Sequence, residues 1–172
     1  MERQPLQEAC SEAKAPEWLI RNFGPRCTLV CAASVLKKLG ASPDRLLQLI
    51  EKTIKFNERW GPNAFAYIGP KRLDRGIEIA ALDGGIKVRA NTRLFVRWKH
   101  IVESLERGVP VVFNCYRAPR GVWRHSVLAI GYQSQGKRIL TLDPNDGVET
   151  WMSWLHPRTG WVCTATFIEP LD

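Results

Sequence analysis

The chain changes from helix-type to strand-type patterning near its middle, and this change limits the folds open to it. Apolar residues recur at three- and four-residue spacing over 28–39, which predicts a helix that begins near Cys27 and ends at Gly40. Further helices are predicted at 42–54, 73–85 and 97–108. Runs rich in Val, Ile, Phe and Thr predict strands at 110–116, 125–132, 138–143 and 161–169. This order indicates an α+β fold, with N-terminal helices packed on a C-terminal antiparallel sheet.

Length and cysteine usage indicate one domain in a reducing environment. A chain of 172 residues can bury a sizeable core without disulfides. Residues 1–19 are expected to form an N-terminal extension that could be flexible, and 20–172 a single domain, since no linker or repeat divides the sequence. The five cysteines are an odd number and contain no C-x-x-C pair, so no zinc site is predicted. We expect neither a cofactor nor a metal.

The N-terminal segment limits the cellular locations expected for the protein, and the net charge bears on its binding partners. The segment "MERQPLQEACSEAK" lacks the apolar run of a signal peptide or membrane helix. The sequence therefore predicts a cytoplasmic protein, or one delivered by a specialised secretion system, without membrane insertion. The net charge of +8 could attract nucleic acid. However, the basic residues are scattered and no nucleic-acid motif occurs, so no specific nucleic-acid binding is predicted. The oligomeric state stays open.

Cys27 is the candidate nucleophile. A thiol becomes a strong nucleophile when it is deprotonated, and both a helix N-terminus and a neighbouring imidazolium lower its pKa. Gly24 and Pro25 predict a turn, and the helix begins at or just after Cys27, so the sulfur would lie near the free N–H groups of the first turn. Cys31 lies one turn further along the helix, where those groups are already hydrogen-bonded. It is predicted to be a core residue.

His125 is the candidate base, and the strand after it supplies a candidate orienting group. His125 opens the strand "HSVLAIGY", and the next strand ends in "LTLDPNDG", which offers Asp143, Asn145 and Asp146. In an antiparallel hairpin the start of one strand lies beside the end of the next, so His125 and Asp143 would be neighbours. The same residues could also serve only to build a tight turn. The remaining histidines, predicted to be surface residues, are His100 and His156.

A thiol, an imidazole and a carboxylate in this order resemble the papain-like cysteine peptidases that process bacteriocin leaders, the double-glycine peptidases. In that family the catalytic Cys begins a helix that runs thirteen residues to a Gly, as in "CTLVCAASVLKKLG". The family's later motifs are matched by "LERGVPVVF", "HSVLAIGY", "LDPNDG" and the tail up to "FIEP", so the likeness covers residues 20–170.

The resemblance implies a papain-like fold and a thiol-dependent peptidase that is free-standing, without an ABC exporter. By this resemblance Cys27 attacks the peptide carbonyl and forms an acyl-enzyme, His125 moves the proton, and Asp143 holds the imidazole. The implied partner is a peptide or protein substrate.

Two positions depart from the family pattern. Thr28 follows the Cys where the family usually has Gly. Arg21 stands six residues before the Cys, where the family has the Gln whose amide helps to form the oxyanion hole. The negative charge that develops on the substrate oxygen is therefore expected to be met by the main-chain N–H of Cys27 and by Asn22 or Arg21.

Two alternatives stay open at the level of the sequence. The same three groups serve amidases and transglutaminase-like or other acyl-transfer enzymes, with specificity set by loops such as 54–72 and 116–124. A catalytically lapsed peptide-binding module would keep the fold without the activity. The missing Gln favours that second alternative, whereas the retained Cys, His and Asp disfavour it.

Overall fold

The computed structural model describes residues 15–21, 27–42, 48, 64–93, 96–117, 123–154 and 164–171, with the main chain alone at 64–72, 114–117 and 123–124. The helices in these ranges are α1 (Cys27–Lys38), α2 (Ala64–Asp83) and α3 (Trp98–Glu106). The strands are β1 (Val88–Arg93), β2 (Val111–Arg117), β3 (Trp123–Gln133), β4 (Arg138–Leu142), β5 (Glu149–Ser153) and β6 (Thr164–Pro170). They pair throughout as antiparallel neighbours in one sheet, in the order β1-β6-β2-β3-β4-β5. The predicted combination of helices with an antiparallel sheet is confirmed.

Helices cover both faces of the sheet, because successive side chains of a strand point to opposite faces. On one face α1 and α2 pack against a layer that includes Val112 and Leu128. On the other face Ile101 of α3 packs against a layer that includes Val111 and Val127. Every residue of α1 from 29 to 36 is buried. This burial holds α1, and with it the Cys27 end of the helix, firmly against the sheet.

Each described helix ends at a glycine in the left-handed region, and all three use the same hydrogen bonds. Gly40, Gly85 and Gly108 have φ values of +96°, +90° and +74°. At each end the glycine N–H bonds the carbonyl three residues back, and the next N–H bonds the carbonyl five residues back. This is the Schellman motif, which satisfies carbonyls that the helix itself leaves open. The helix ends predicted at Gly40, at the Gly84-Gly85 pair and at Gly108 are thus confirmed.

The helix boundaries differ from the prediction at one N-terminus. α2 begins at Ala64 rather than near residue 73, and it continues through Gly69 and Pro70, residue types that usually interrupt a helix. Residues 64–72 were predicted to be part of a loop, and they are helical. The helix predicted at 42–54 falls almost wholly outside the described residues. None of the described helices combines the length and the apolar character needed to cross a bilayer.

Two strands lie at the sheet edges where none was predicted. β1 pairs with β6 and precedes α3, so the chain is not a simple succession of helices and then strands. β5 pairs with β4, and four of its five residues are exposed. β1 alternates buried and exposed residues over its first four positions only, and its last two residues are partly buried polar ones, so the alternating pattern is short. An edge strand needs less apolar surface than a central one, and this weakens its sequence signal.

The segment before α1 docks on that helix. Leu19 is buried in the core formed with α1 and α2. The Ile20 N–H donates to Ser34 Oγ at 2.9 Å, and the Ser34 hydroxyl donates to the Val30 carbonyl at 2.8 Å. These contacts bring Arg21 to the end of the molecule that carries Cys27. The proposed boundary between an extension over 1–19 and a domain over 20–172 stays a prediction.

Candidate active site

Cys27 is the first residue of α1, and its side chain is half-buried. The first four N–H groups of a helix have no intrahelical acceptor, and the helix dipole places partial positive charge there. The first turn of α1 contains no acidic residue, whereas the last turn carries Lys37 and Lys38. Nothing in this helix therefore opposes a negative charge on the sulfur, and the predicted start of the helix at Cys27 is confirmed.

His125 and Asp143 face each other across the hairpin formed by β3 and β4. The two strands are antiparallel, with Leu128 opposite Leu142, so the start of β3 lies beside the end of β4 as expected. His125 Nε2 and Asp143 Oδ2 are 2.6 Å apart, a short hydrogen bond between an imidazole and a carboxylate. The two side chains are 33% and 29% exposed, so the pair is largely shielded from water but still in contact with solvent.

The turn after β4 fixes the Asp143 carboxylate from its other side. The Asn145 N–H donates to Asp143 Oδ1 at 2.8 Å, which leaves Oδ2 for the imidazole. The Gly147 N–H donates to the Asp143 carbonyl at 2.7 Å, and the Asp143 N–H donates to the Val148 carbonyl at 3.0 Å. The Asp146 carboxylate instead accepts the Val148 N–H at 2.8 Å. Residues 143–148 therefore form a tight turn that also orients the Asp143 carboxylate toward His125.

Charge favours the ion pair of thiolate and imidazolium. Burial raises the pKa of the Cys27 thiol, but hydrogen bonds from His125 and from Ser126 outweigh this effect, and the pKa is lowered overall. The pKa of His125 is raised to about 9, and its hydrogen bond to Cys27 is the largest cause. Burial lowers this pKa, whereas the Asp143 carboxylate raises it further. Because Nε2 faces Asp143, the Nδ1 atom is the one left for the sulfur. His125 is thus hydrogen-bonded both to the Cys27 thiol and to the Asp143 carboxylate.

The residues expected to stabilise an oxyanion are only partly described. Asn22 lies outside the described residues. Arg21 is exposed, and its guanidinium lies against Gly147, in the turn that carries Asp143: a Cβ at that glycine would come within 2.7 Å of Arg21 Cζ. The N–H of Cys27 belongs to the first turn of α1, where a helix supplies no acceptor of its own. The assignment of Arg21 and Asn22 as oxyanion donors stays a prediction.

Gly147→Ala and Gly136→Ala are expected to destabilise the protein by similar amounts. Both glycines have positive φ, +72° and +77°, so an alanine side chain strains either turn by ~1–2 kcal/mol. A Cβ at Gly136 meets no atom within 4 Å, and one at Gly147 meets the end of the exposed Arg21 side chain, which can move aside at little cost. Urea unfolding of both variants measures these losses, and Gly147→Ala alone should also reduce activity, because its turn holds Asp143.

Combining Gly147→Ala with Arg21→Ala shows whether the Arg21 side chain moves aside. Because the loss comes from the positive φ of the glycine, Arg21→Ala should not restore the free energy of unfolding of Gly147→Ala. A much larger loss in Gly147→Ala than in Gly136→Ala, relieved by Arg21→Ala, would contradict this expectation.

Other candidate residues take different roles. Cys31 is fully buried, with its S–H directed at the Ser126 carbonyl at 3.5 Å, so its predicted place in the core is confirmed. His100 is half-buried, and its ring stands edge-on to Phe167 with the centroids 6.4 Å apart, so the predicted surface position needs correction. Its ring packs under β6 because α3 covers that face of the sheet. His156 lies outside the described residues.

Two hydroxyl residues at the site were not predicted. Thr28 Oγ1 and Ser126 Oγ are 2.7 Å apart, which joins the residue after Cys27 to the residue after His125. Ser126 is 3% exposed. Small hydroxyl residues carry no spacing signal of their own, and only their adjacency to the two predicted site residues could have pointed to them. Within the described ranges, no group of three or more His, Cys, Asp and Glu side chains could hold a metal ion.

Comparison with known families assigns the chain to a peptidase family. The model of the Peptidase_C39-like family matches residues 76–162, half of the 172-residue chain. The chain therefore belongs to the Peptidase_C39-like family, a family of cysteine peptidases. The matched range contains His125 and Asp143 but begins after Cys27. The assignment of Cys27 to the site therefore depends on its hydrogen bonds to His125 and Ser126 and not on the family match. A comparison with curated proteins gave no match.

Proposed function

We propose that this protein is a thiol-dependent peptidase in which Cys27, His125 and Asp143 form the catalytic triad. The observation that carries the proposal is the continuous chain of contacts from the sulfur through the imidazole to the carboxylate, with the pKa of the thiol lowered and that of His125 raised. Membership of the Peptidase_C39-like family supports peptide bonds as the substrate class. The motif resemblance further supports a papain-like scaffold of the leader-processing type.

The reaction begins from the ion pair. The Cys27 thiolate attacks the peptide carbonyl carbon, and the electrons of the C=O bond move to the oxygen. When this intermediate collapses, the C–N bond breaks, and the His125 imidazolium gives its proton to the leaving amine. A thioester on Cys27 and a neutral imidazole remain. Water then attacks the thioester, His125 takes a proton from that water, and the C–S bond breaks to release the acid and restore the ion pair.

Asp143 contributes by holding the imidazole and by stabilising its positive charge. The hydrogen bond from the Asn145 N–H disfavours rotation of the Asp143 carboxylate when His125 changes its protonation state. The oxyanion that forms on the substrate would be met by the Cys27 N–H and by Arg21 or Asn22. One such donor typically raises kcat by ~10²- to 10³-fold, so the value of kcat depends on which groups donate to the oxyanion.

The test of the proposed function is cleavage of a diverse peptide library, including leader-like peptides with a Gly-Gly step. The wild type should generate new peptide ends at defined sites, and Cys27→Ala should generate none. Deamidation or acyl transfer without any new peptide end would favour an amidase or acyl-transfer enzyme and overturn the peptidase proposal. Binding without any chemistry would favour a lapsed module and overturn it equally.

A second expected result is a bell-shaped dependence of kcat/KM on pH. The reactive form carries a thiolate and an imidazolium together, so activity should rise as the Cys27 thiol ionises at its lowered pKa. Activity should then fall as His125 loses its proton near pH 9. A single rise near the ordinary thiol pKa, with no loss on the basic side, would contradict an ion pair.

A further inference from the structure

Ser126 directs its polar groups at the first two turns of α1. Its hydroxyl lies 2.7 Å from Thr28 Oγ1, and its carbonyl accepts the Cys31 S–H at 3.5 Å. Both its main chain and its hydroxyl also hydrogen-bond the Cys27 side chain. Because Ser126 is buried, water cannot replace these partners. The residue after the imidazole is therefore tied at several points to the helix that carries the thiol.

The direction of these hydrogen bonds follows from counting hydrogens. A serine hydroxyl has one hydrogen, and a contact that favours a thiolate must donate that hydrogen to the sulfur. Either hydroxyl could donate at the 2.7 Å contact with Thr28, but a Ser126 oxygen that gives its own hydrogen to the sulfur can only accept there, and the donor is then Thr28. Two hydroxyls in series polarise each other, and burial strengthens this effect.

We propose that Thr28 and Ser126 form a hydroxyl relay, in which Thr28 donates to Ser126 and Ser126 donates to the Cys27 thiolate. This proposal rests on the proposed function, since it assigns two further residues to the same nucleophile. Ser126 touches the reacting sulfur, whereas Thr28 acts only through Ser126 and is a positioning residue. The relay gives a physical reason for a threonine directly after the nucleophile: its hydroxyl orients the donor from β3.

The hydrogen bond from Ser126 stabilises the ionised thiol, and it weakens when the sulfur becomes acylated. A thioester sulfur is neutral and accepts hydrogen bonds poorly, so the stabilisation belongs to the resting thiolate. A donor to the thiolate raises the fraction ionised at neutral pH and also lowers the intrinsic reactivity of each thiolate. Removal of the relay should therefore shift the ionisation of Cys27 and leave the fully ionised thiolate at least as reactive as before.

The test is the pH dependence of iodoacetamide alkylation at Cys27, followed by mass spectrometry of the Cys27 peptide because the chain has five cysteines. With Ser126→Ala, the rate on the acid limb should fall ~10-fold, the loss expected for one hydrogen bond to a charged group. Thr28→Val should lower the same limb less, and Thr28→Ser should restore it. The plateau rate at higher pH should not fall in any of them.

A double variant and two matched controls separate a relay from a packing role. Ser126→Ala combined with Thr28→Val should lose no more than Ser126→Ala alone, because the two hydroxyls act in series. Ser104→Ala and Thr141→Val remove buried hydroxyls that bond the Val109 and Thr150 carbonyls, and they should leave the alkylation profile unchanged.

The possible results separate the relay from the peptidase proposal. An ordinary thiol midpoint in the wild type would overturn both. A lowered midpoint that neither Ser126→Ala nor Thr28→Val moves would overturn the relay and leave the peptidase standing. A lower plateau with an unmoved midpoint, or additive losses in the double variant, would indicate packing alone and would likewise overturn the relay.

Discussion

Replacement of Cys27 by alanine is expected to abolish peptide cleavage, with a loss on the order of 10⁴-fold or more. Only the sulfur can form the thioester intermediate, and removal of a nucleophile typically removes nearly all the catalysis that the triad supplies. The loss should appear in kcat, because Cys27 takes part in bond formation rather than in holding the substrate. The measurement is hydrolysis of a peptide identified from the library.

Cys31→Ala is the matched control for that experiment. Cys31 lies one turn further along α1, is fully buried, and carries the same functional group as Cys27. Its replacement removes a small buried side chain and should lower stability slightly, while cleavage stays within about tenfold of the wild type. If the two variants lost activity equally, the unequal roles assigned to these cysteines would be wrong.

Removal of the His125 imidazole or of the Asp143 charge is expected to produce a graded loss. His125→Ala removes both the proton carrier and the positive partner of the thiolate, so we expect a loss on the order of 10³- to 10⁵-fold together with a raised thiol pKa. Asp143→Asn keeps the shape and removes the charge, and should cost ~10²- to 10⁴-fold. Since the Asp143 carboxylate helps to raise the pKa of His125, this variant should also move the basic limb of the pH profile to lower pH.

Asp146→Asn is the control for the Asp143 substitution. Asp146 lies in the same turn, but its carboxylate accepts the Val148 N–H and does not meet His125. This variant should retain the pH profile of the wild type. A basic limb that moves in Asp146→Asn and not in Asp143→Asn would contradict the pairing described here.

The site could be predicted from the sequence where it depends on the ends of regular elements. The end of α1 is encoded locally by Gly40, and its start at Cys27 was predicted from the Gly-Pro pair that precedes it in the sequence. The pairing of β3 with β4 follows from two short runs joined by a turn, and it brings His125 to Asp143. Spacing along the chain therefore predicts these neighbours well.

The remainder depends on packing that no local pattern encodes. The contact of Thr28 with Ser126 joins residues 98 positions apart and exists only because α1 lies on β3. Four of the five residues of the edge strand β5 are exposed and the fifth is partly buried. The strand therefore has no buried face that would require alternating apolar residues. The start of α2 was missed because a Gly-Pro pair lowers helix propensity, whereas tertiary structure overrides such propensities.

Trapping of the acyl-enzyme would identify the nucleophile. A peptide ester with the sequence cleaved in the library should acylate the protein quickly, and an acid quench should preserve the thioester for mass spectrometry. We predict the added acyl mass on the peptide that contains Cys27, its removal by hydroxylamine, and its absence in Cys27→Ala. An acyl group on another residue, or continued cleavage by Cys27→Ala, would contradict the account.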